Sequence, residues 1–227
     1  MKKTGILCAS DTELEPFLKY IQSPRVTEKA MLKFYSGYIG RTAVVAVYSG
    51  VCKVNAAIAA QLLIDVFDVG CIINAGTAGG MDERVRLFDT VISERMVYHD
   101  VAEDILTEFH PWIEENCFRA DRELYAAAEK YSRESEFPIL FGTMVSGEQF
   151  IEDEKRSEIN RKFAPLSVDM ETVSIAHVCY VNNIPFLSVR TVTDTAEHKG
   201  IENFEQNCEV ASLRSAQIVI GILEQYS

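Results

Sequence analysis

The chain contains no apolar run approaching the roughly 20 residues that a membrane-spanning helix needs. Its N-terminus lacks the basic, then apolar, then small-residue order of a secretion signal. A soluble, cytoplasmic protein is therefore expected. No block of lysine and arginine occurs, and 22 basic residues face 34 acidic ones for a net charge of −12. Phosphate backbones are bound by clustered cations, so nucleic acid is not expected as a partner, and the acidic surface favours solubility. Six cysteines, at 8, 52, 71, 117, 179 and 208, form no C-x-x-C pair and have no histidine at ligand spacing. That excludes the usual zinc patterns. Cys8, Cys71 and Cys179 lie in apolar runs and read as small core hydrophobes of a reducing compartment. Neither a G-x-G-x-x-G nor a Walker loop is present, and no metal or organic cofactor is expected. Without repeat, low-complexity stretch or linker, residues 1–227 are expected to form one domain.

What is present is a core-forming composition, 48% hydrophobic and 25% charged. Thr4-Gly5-Ile6-Leu7-Cys8-Ala9 reads as a buried strand, followed by a helix start with Ser10 as N-cap and Glu13 at the capping-box position. Residues 33–39 and 42–48 flank Gly40-Arg41 as a hairpin. Helices are expected near 54–66, 152–160, 172–182 and 205–225, and strands at 71–73 and near 90–93, 139–145 and 186–192. This interleaving indicates an α/β sheet covered on both faces. After the strand Cys71-Ile72-Ile73 comes Asn74-Ala75-Gly76-Thr77-Ala78-Gly79-Gly80. It reads either as a loop whose missing side chains let backbone amides reach a ligand, or as a tight packing turn.

Two acidic strand ends carry the chemical signal. Val168-Asp169-Met170-Glu171 and Val189-Arg190-Thr191-Val192-Thr193-Asp194 each follow an apolar run, which puts Glu171 and Asp194 at carboxyl ends of strands, where open α/β sheets build their sites. Carboxylates there suit acid–base or hydroxyl-binding work. Each has a plainer reading: Glu13 as a capping-box acid, Glu171 as a first-turn acid on a helix dipole, Asp194 as a turn residue. Arg190 equally suits a partner for a buried acid, and Phe150 and Met170 suit ordinary core positions. Asp169 and Glu171 share a face on an extended strand and diverge if a helix starts there; Asp169 is not assigned to catalysis. His99 and His177 read as structural histidines, since neither has a ligand set or nucleophile near it in sequence.

These segments, together with Ser49-Gly50-Val51-Cys52-Lys53-Val54-Asn55-Ala56-Ala57 and Val145-Ser146-Gly147-Glu148-Gln149-Phe150-Ile151, occur in an order that resembles bacterial 5′-methylthioadenosine/S-adenosylhomocysteine nucleosidases. The resemblance runs over most of the chain and extends to the purine nucleoside phosphorylase superfamily. It implies a three-layer α/β/α fold with a central mixed, partly barrel-like sheet, a homodimer, and a small-molecule nucleoside as substrate. It also implies roles: Asp194 as general acid at purine N7, Glu13 orienting or deprotonating water, and Glu171 binding ribose hydroxyls. Met170 would pack on the ribose and Phe150 stack on the purine, with the backbone of Ile151 reading its edge. Thr77 and Arg190 would hold Glu13 and the water, Thr193 would support Asp194, and Phe204 would cover the 5′ group.

A phosphorylase must hold its phosphate nucleophile with cations, and residues 5–13 and 75–81 contain no Arg or Lys. Water is therefore the expected nucleophile, with Lys29, Arg41 and Arg84 left open as phosphate partners. The alternatives are a phosphate-dependent purine nucleoside phosphorylase and a non-catalytic nucleoside-binding protein of the same fold. The sequence departs from the family at Ser10, where methionine is frequent, and after Tyr98-His99-Asp100, where an aromatic segment usually follows. Methylthioadenosine, adenosylhomocysteine, 5′-deoxyadenosine and larger 6-aminopurine nucleosides all stay open as substrates. Residues 105–112, with large apolar side chains among acids, read as an interface or a lid.

Overall fold

A computed structural model of the protein describes residues 3–102, 104–109, 112–151, 153–197 and 201–226. The chain enters through β1 (Lys3–Cys8), buried at five consecutive positions, the run expected of a strand covered on both faces. Ser10 closes α1 (Asp11–Leu18) with a capping box: its hydroxyl accepts the Glu13 N–H and the Glu13 carboxylate accepts the Ser10 N–H, both at 3.3 Å. Next come β2 (Gln22–Lys29), β3 (Leu32–Ile39) and β4 (Thr42–Tyr48), antiparallel in sequence order, the last two forming the expected hairpin. Strand β2 was not anticipated because it is an exposed edge strand with no apolar run to mark it.

Helix α2 (Lys53–Asp65) leads into β5 (Val69–Gly80), and β6 (Thr90–Tyr98), α3 (Ile105–Phe109), β7 (Phe118–Arg119) and α4 (Arg122–Ser132) follow. The remainder is β8 (Ile139–Ser146), α5 (Asp153–Phe163), β9 (Ser167–Asp169), α6 (Thr172–Val181), β10 (Phe186–Asp194) and α7 (Ile201–Tyr226). The strand order is β10-β6-β8-β9-β5-β1-β4-β3-β2, and β10 also pairs with β5. That extra pairing closes five strands into a barrel-like unit, while β1, β4, β3 and β2 extend the sheet away from it. One apolar core gathers side chains from α2 and α6 and a second from α1, α4 and α7, so helices cover both faces, and a third, smaller one includes Met81, Val145, Ile159 and Val168. The three-layer α/β/α architecture with a mixed, partly closed sheet is as expected. Among the described residues no helix is long and apolar enough to cross a membrane.

One local expectation is corrected. The glycine-rich segment 74–80 is not a loop but the second half of β5, twelve residues long. It keeps its ladder because β10 continues alongside it, with Gly76 opposite Arg190 and Thr77 opposite Thr191, and β9 pairs with Gly79 and Gly80. The glycines are required by what lies against them. A β-carbon on Gly76 would collide with all three atoms of the Glu13 carboxylate group, so the missing side chain at Gly76 seats an acid. His110 and Pro111, within the segment read as interface or lid, lie outside the described residues.

Candidate active site

Four chain segments meet at the carboxyl ends of β1, β5, β9 and β10. Glu13 sits in the first turn of α1, 4% exposed, and is held at both oxygens. Oε2 accepts the Ala9 N–H at 2.7 Å, and Oε1 accepts the Thr77 N–H at 2.8 Å and its hydroxyl at 2.9 Å. Capping and site-building are thus the same geometry, not rival ones. Glu171 is the N-cap of α6; because the helix begins at Thr172, it and Asp169 do not share a strand face. Its Oε1 accepts the Cys52 N–H at 2.9 Å at the start of α2, where the helix dipole favours negative charge.

Arg190 joins these groups. Fully buried on β10, it donates to Asn74 Oδ1 at 3.1 Å, to the Thr77 carbonyl at 3.0 Å and to Glu171 Oε2 at 3.2 Å. It also lies 3.3 Å from Asp169 Oδ2 and 3.6 Å from Glu13 Oε1. Burial opposes its charge, yet Asp169, Glu13 and Glu171 hold the guanidinium well above its ordinary range. Three carboxylates around one cation leave an excess of negative charge in a buried space. Accordingly, burial first and then Asp169 and Glu13 push Glu171 up to about 7, against the pull of Arg190. Asp169 also accepts from the Ser146 hydroxyl and from the N–H groups of Glu171 and Thr172.

Asp194 ends β10 across the same cavity, 2% exposed. Burial raises its pKa, while the Thr193 hydroxyl, 3.1 Å from Oδ1, and the Arg156 guanidinium pull it back. The cavity encloses about 230 Å³. Glu13, Thr77, Gln149, Asp169, Glu171, Arg190, Thr193 and Asp194 contribute to its polar wall, and Phe150, Ile151, Met170 and Phe204 to its apolar one. Ser10 also lines it. The Phe150 and Phe204 rings stand edge to face with centroids 6.4 Å apart, and Phe150 is 39% exposed, placed at the mouth rather than in the core.

All ten residues singled out from the sequence therefore border one cavity. The other candidates lie elsewhere. Lys29, Arg41 and Arg84 are exposed and do not border it, and Arg84 is engaged by Asp82 at 2.8 Å. His177 has its Nδ1 3.4 Å from the Tyr98 hydroxyl and its ring stacked on Phe118. His99 packs on Gly147 with a buried Nε2 that lacks a partner, and burial lowers its pKa. Sequence reasoning missed Asn74, which takes hydrogen bonds from Thr172, Ser188 and Arg190 while donating to the Leu7 carbonyl at 2.8 Å. A buried amide inside an apolar strand was the available signal. It also missed Arg156, which belongs to a polar helix and has no local mark.

Residues 3–224 match the family model described as the phosphorylase superfamily. A 5′-methylthioadenosine/S-adenosylhomocysteine nucleosidase of Pseudoalteromonas translucida is 36% identical, over 97% of this chain and 96% of its own length. The structure of the Neisseria meningitidis enzyme of that name, in complex with methylthio-immucillin-A, superposes with a TM-score of 0.91 at 27% identity, covering 99% of each chain. That of the Colwellia psychrerythraea enzyme, in complex with adenine, does so with a TM-score of 0.88 at 31% identity, covering 99% of this chain and 95% of that one. Sequence, architecture and the cavity at the strand ends agree, and the chain belongs to the phosphorylase superfamily and, within it, to the 5′-methylthioadenosine/S-adenosylhomocysteine nucleosidases, which are N-glycosidic hydrolases.

Proposed function

We propose that the protein hydrolyses the N-glycosidic bond of 5′-methylthioadenosine, S-adenosylhomocysteine or a related 5′-modified adenosine, releasing adenine. The observation that carries this reading is the convergence of Asp194, Glu13 and Glu171 on one cavity with an aromatic mouth. Cleavage leaves electron density on the purine and positive charge on the sugar, so an acid is needed at the base and an activated water below the anomeric carbon. Asp194 gives its proton to N7, and the C1′–N9 electron pair passes to the purine. Water adds its oxygen to C1′ and its proton to Glu13. Glu171 accepts hydrogen bonds from ribose hydroxyls and stabilises the cationic sugar, with Met170 against the ribose. Phe150 stacks on the purine, Ile151 reads its edge through the backbone, and Phe204 covers the 5′ group.

Water rather than phosphate is supported by the charge inventory. Arg190 is the one cation that lines the cavity among the described residues, and its guanidinium is shared among Asn74, Thr77, Asp169 and Glu171. The test is free-base release from methylthioadenosine, adenosylhomocysteine, adenosine and inosine, with and without phosphate. Adenine release in phosphate-free buffer is expected. Release only with phosphate, or nucleoside binding without any release, overturns the reading. Asp194→Asn should abolish turnover while nucleoside binding persists.

A further inference from the structure

Arg156 of α5 stands beside the proposed acid without bordering the cavity. It is 7% exposed, and its Nη2 lies 3.6 Å from Asp194 Oδ2. Nη1 donates to the Gly80 carbonyl and approaches Met81 Sδ at 3.5 Å, whereas Nε has no hydrogen-bond partner. A guanidinium withdrawn from water needs a counter-charge and filled hydrogen-bonding positions. One backbone carbonyl does not supply the charge, and Asp194 is the carboxylate within ion-pair distance of Arg156 among the described residues. The separation exceeds that of a charge-assisted hydrogen bond, so Arg156 acts on Asp194 as a nearby charge and not as a clamp on its lone pairs.

We propose that Arg156 is a positioning residue for the general acid: from behind the cavity it sets the acidity of Asp194 and stabilises the carboxylate left when the proton passes to N7. The inference rests on the hydrolytic reading above. Before transfer Asp194 is neutral and gains little from Arg156. After the O–H bond breaks and the N7–H bond forms, Asp194 is an anion facing a cation. The attraction therefore grows along the reaction, which is the kind of interaction that raises turnover. The charged and titratable groups around Asp194 among the described residues are Arg156 from α5 and, lining the same cavity, Glu13 of α1, Asp169 of β9, Glu171 at the start of α6 and Arg190 of β10. Glu13, Asp169, Glu171 and Arg190 form one interlocked set, which leaves Arg156 as the adjustable charge on the acid.

The experiment is the pH dependence of kcat/KM for adenine release from methylthioadenosine in Arg156→Gln, Arg156→Met and Arg156→Lys, with circular dichroism to confirm folding. An opposite charge within about 4–6 Å lowers a carboxyl pKa by about 1–3 units. Both neutral variants should thus move the high-pH limb, where the required proton is lost, upward by about one unit. They should lower the plateau by about tenfold, because a weaker acid transfers its proton less readily. Arg156→Lys should keep the limb near its wild-type position. A uniform loss at every pH in the neutral variants, or a lysine variant shifted as far as glutamine, overturns the proposal in favour of a purely architectural arginine. Wild-type turnover in Asp194→Asn would instead remove the acid role itself. An inactive Asp194→Asn alongside an unmoved limb in Arg156→Gln would refute only the role of Arg156.

Discussion

Placing a methyl group on Gly76 tests whether the position of Glu13 matters to a fraction of an ångström. A β-carbon there would lie 2.5 Å from Glu13 Cδ and 2.7 Å from Oε2, with Oε1 closer still. Ordinary contact begins near 3.4 Å, so the carboxylate must retreat by roughly 1 Å. Strand β5 is held at this point, since Gly76 pairs with Arg190 of β10 and its N–H donates to the Ser215 hydroxyl at 3.1 Å. The movement falls on Glu13, whose bonds of 2.7–2.9 Å to Ala9 and Thr77 would open. Hydrogen bonds to a charged group are worth about 1.5–3 kcal/mol each, and partial re-formation leaves an expected loss of about 2 kcal/mol. For turnover, a misplacement of about 1 Å at a reacting group costs about 100-fold. Gly76→Ala should therefore lower kcat by about two orders of magnitude and lower Tm, with KM nearly unchanged. A double-mutant cycle isolates the cause: with Glu13→Ala the space is vacant, and adding Gly76→Ala should cost almost nothing further. Additive penalties in kcat and in unfolding free energy would refute the reasoning.

Three further outcomes follow from the same site. Cys52 has φ 80° and ψ 164°, a region adopted almost only by glycine and strained by about 1–3 kcal/mol otherwise. Cys52→Gly keeps the N–H to Glu171 and, after the added freedom of the unfolded chain, should stabilise the fold by about 1 kcal/mol; a lower Tm would refute it. Because burial pushes Glu171 up to about 7 from an ordinary 4.5, its contribution to stability is fullest below about 4.5 and fades as pH rises through 7. The Tm of the wild type minus that of Glu171→Gln should then fall between about pH 5 and pH 8; a constant or rising difference counts against it. Phe150→Ala should raise KM for adenine nucleosides about tenfold, the equivalent of about 1.4 kcal/mol of stacking, while kcat changes little. A lowered kcat at constant KM would place Phe150 in a different role.

The sheet and the acidic pole of the site were legible because each rests on a short-range pattern. The apolar runs of β1 and β10 mark buried strands, and an acid at the end of such a run has nowhere to go but the rim where Glu171 and Asp194 are found. The turn residues between β3 and β4 fixed a hairpin. Other elements had no such mark. Strand β5 continues through Gly76, Gly79 and Gly80 because partners on both sides hold it, a tertiary cause invisible in a glycine-rich string. Helix α4 was overlooked although Asp121 caps it, accepting the N–H groups of Glu123 and Leu124 at 3.0 Å. Arg156 lies thirty-eight positions before Asp194 in the chain, and only the docking of α5 on the end of β5 brings the two together.

The linkage of α1, β5, β9 and α6 through Arg190 has a consequence for how activity is acquired during folding. A chain that had assembled β5 and β10 but not yet docked α1 or capped α6 would hold a buried guanidinium with part of its counter-charge missing, an expensive species. Such a half-built centre is disfavoured for the same reason that the finished one is stable. In a refolding experiment, enzymatic competence should thus return together with the last burial of tertiary structure and not ahead of it.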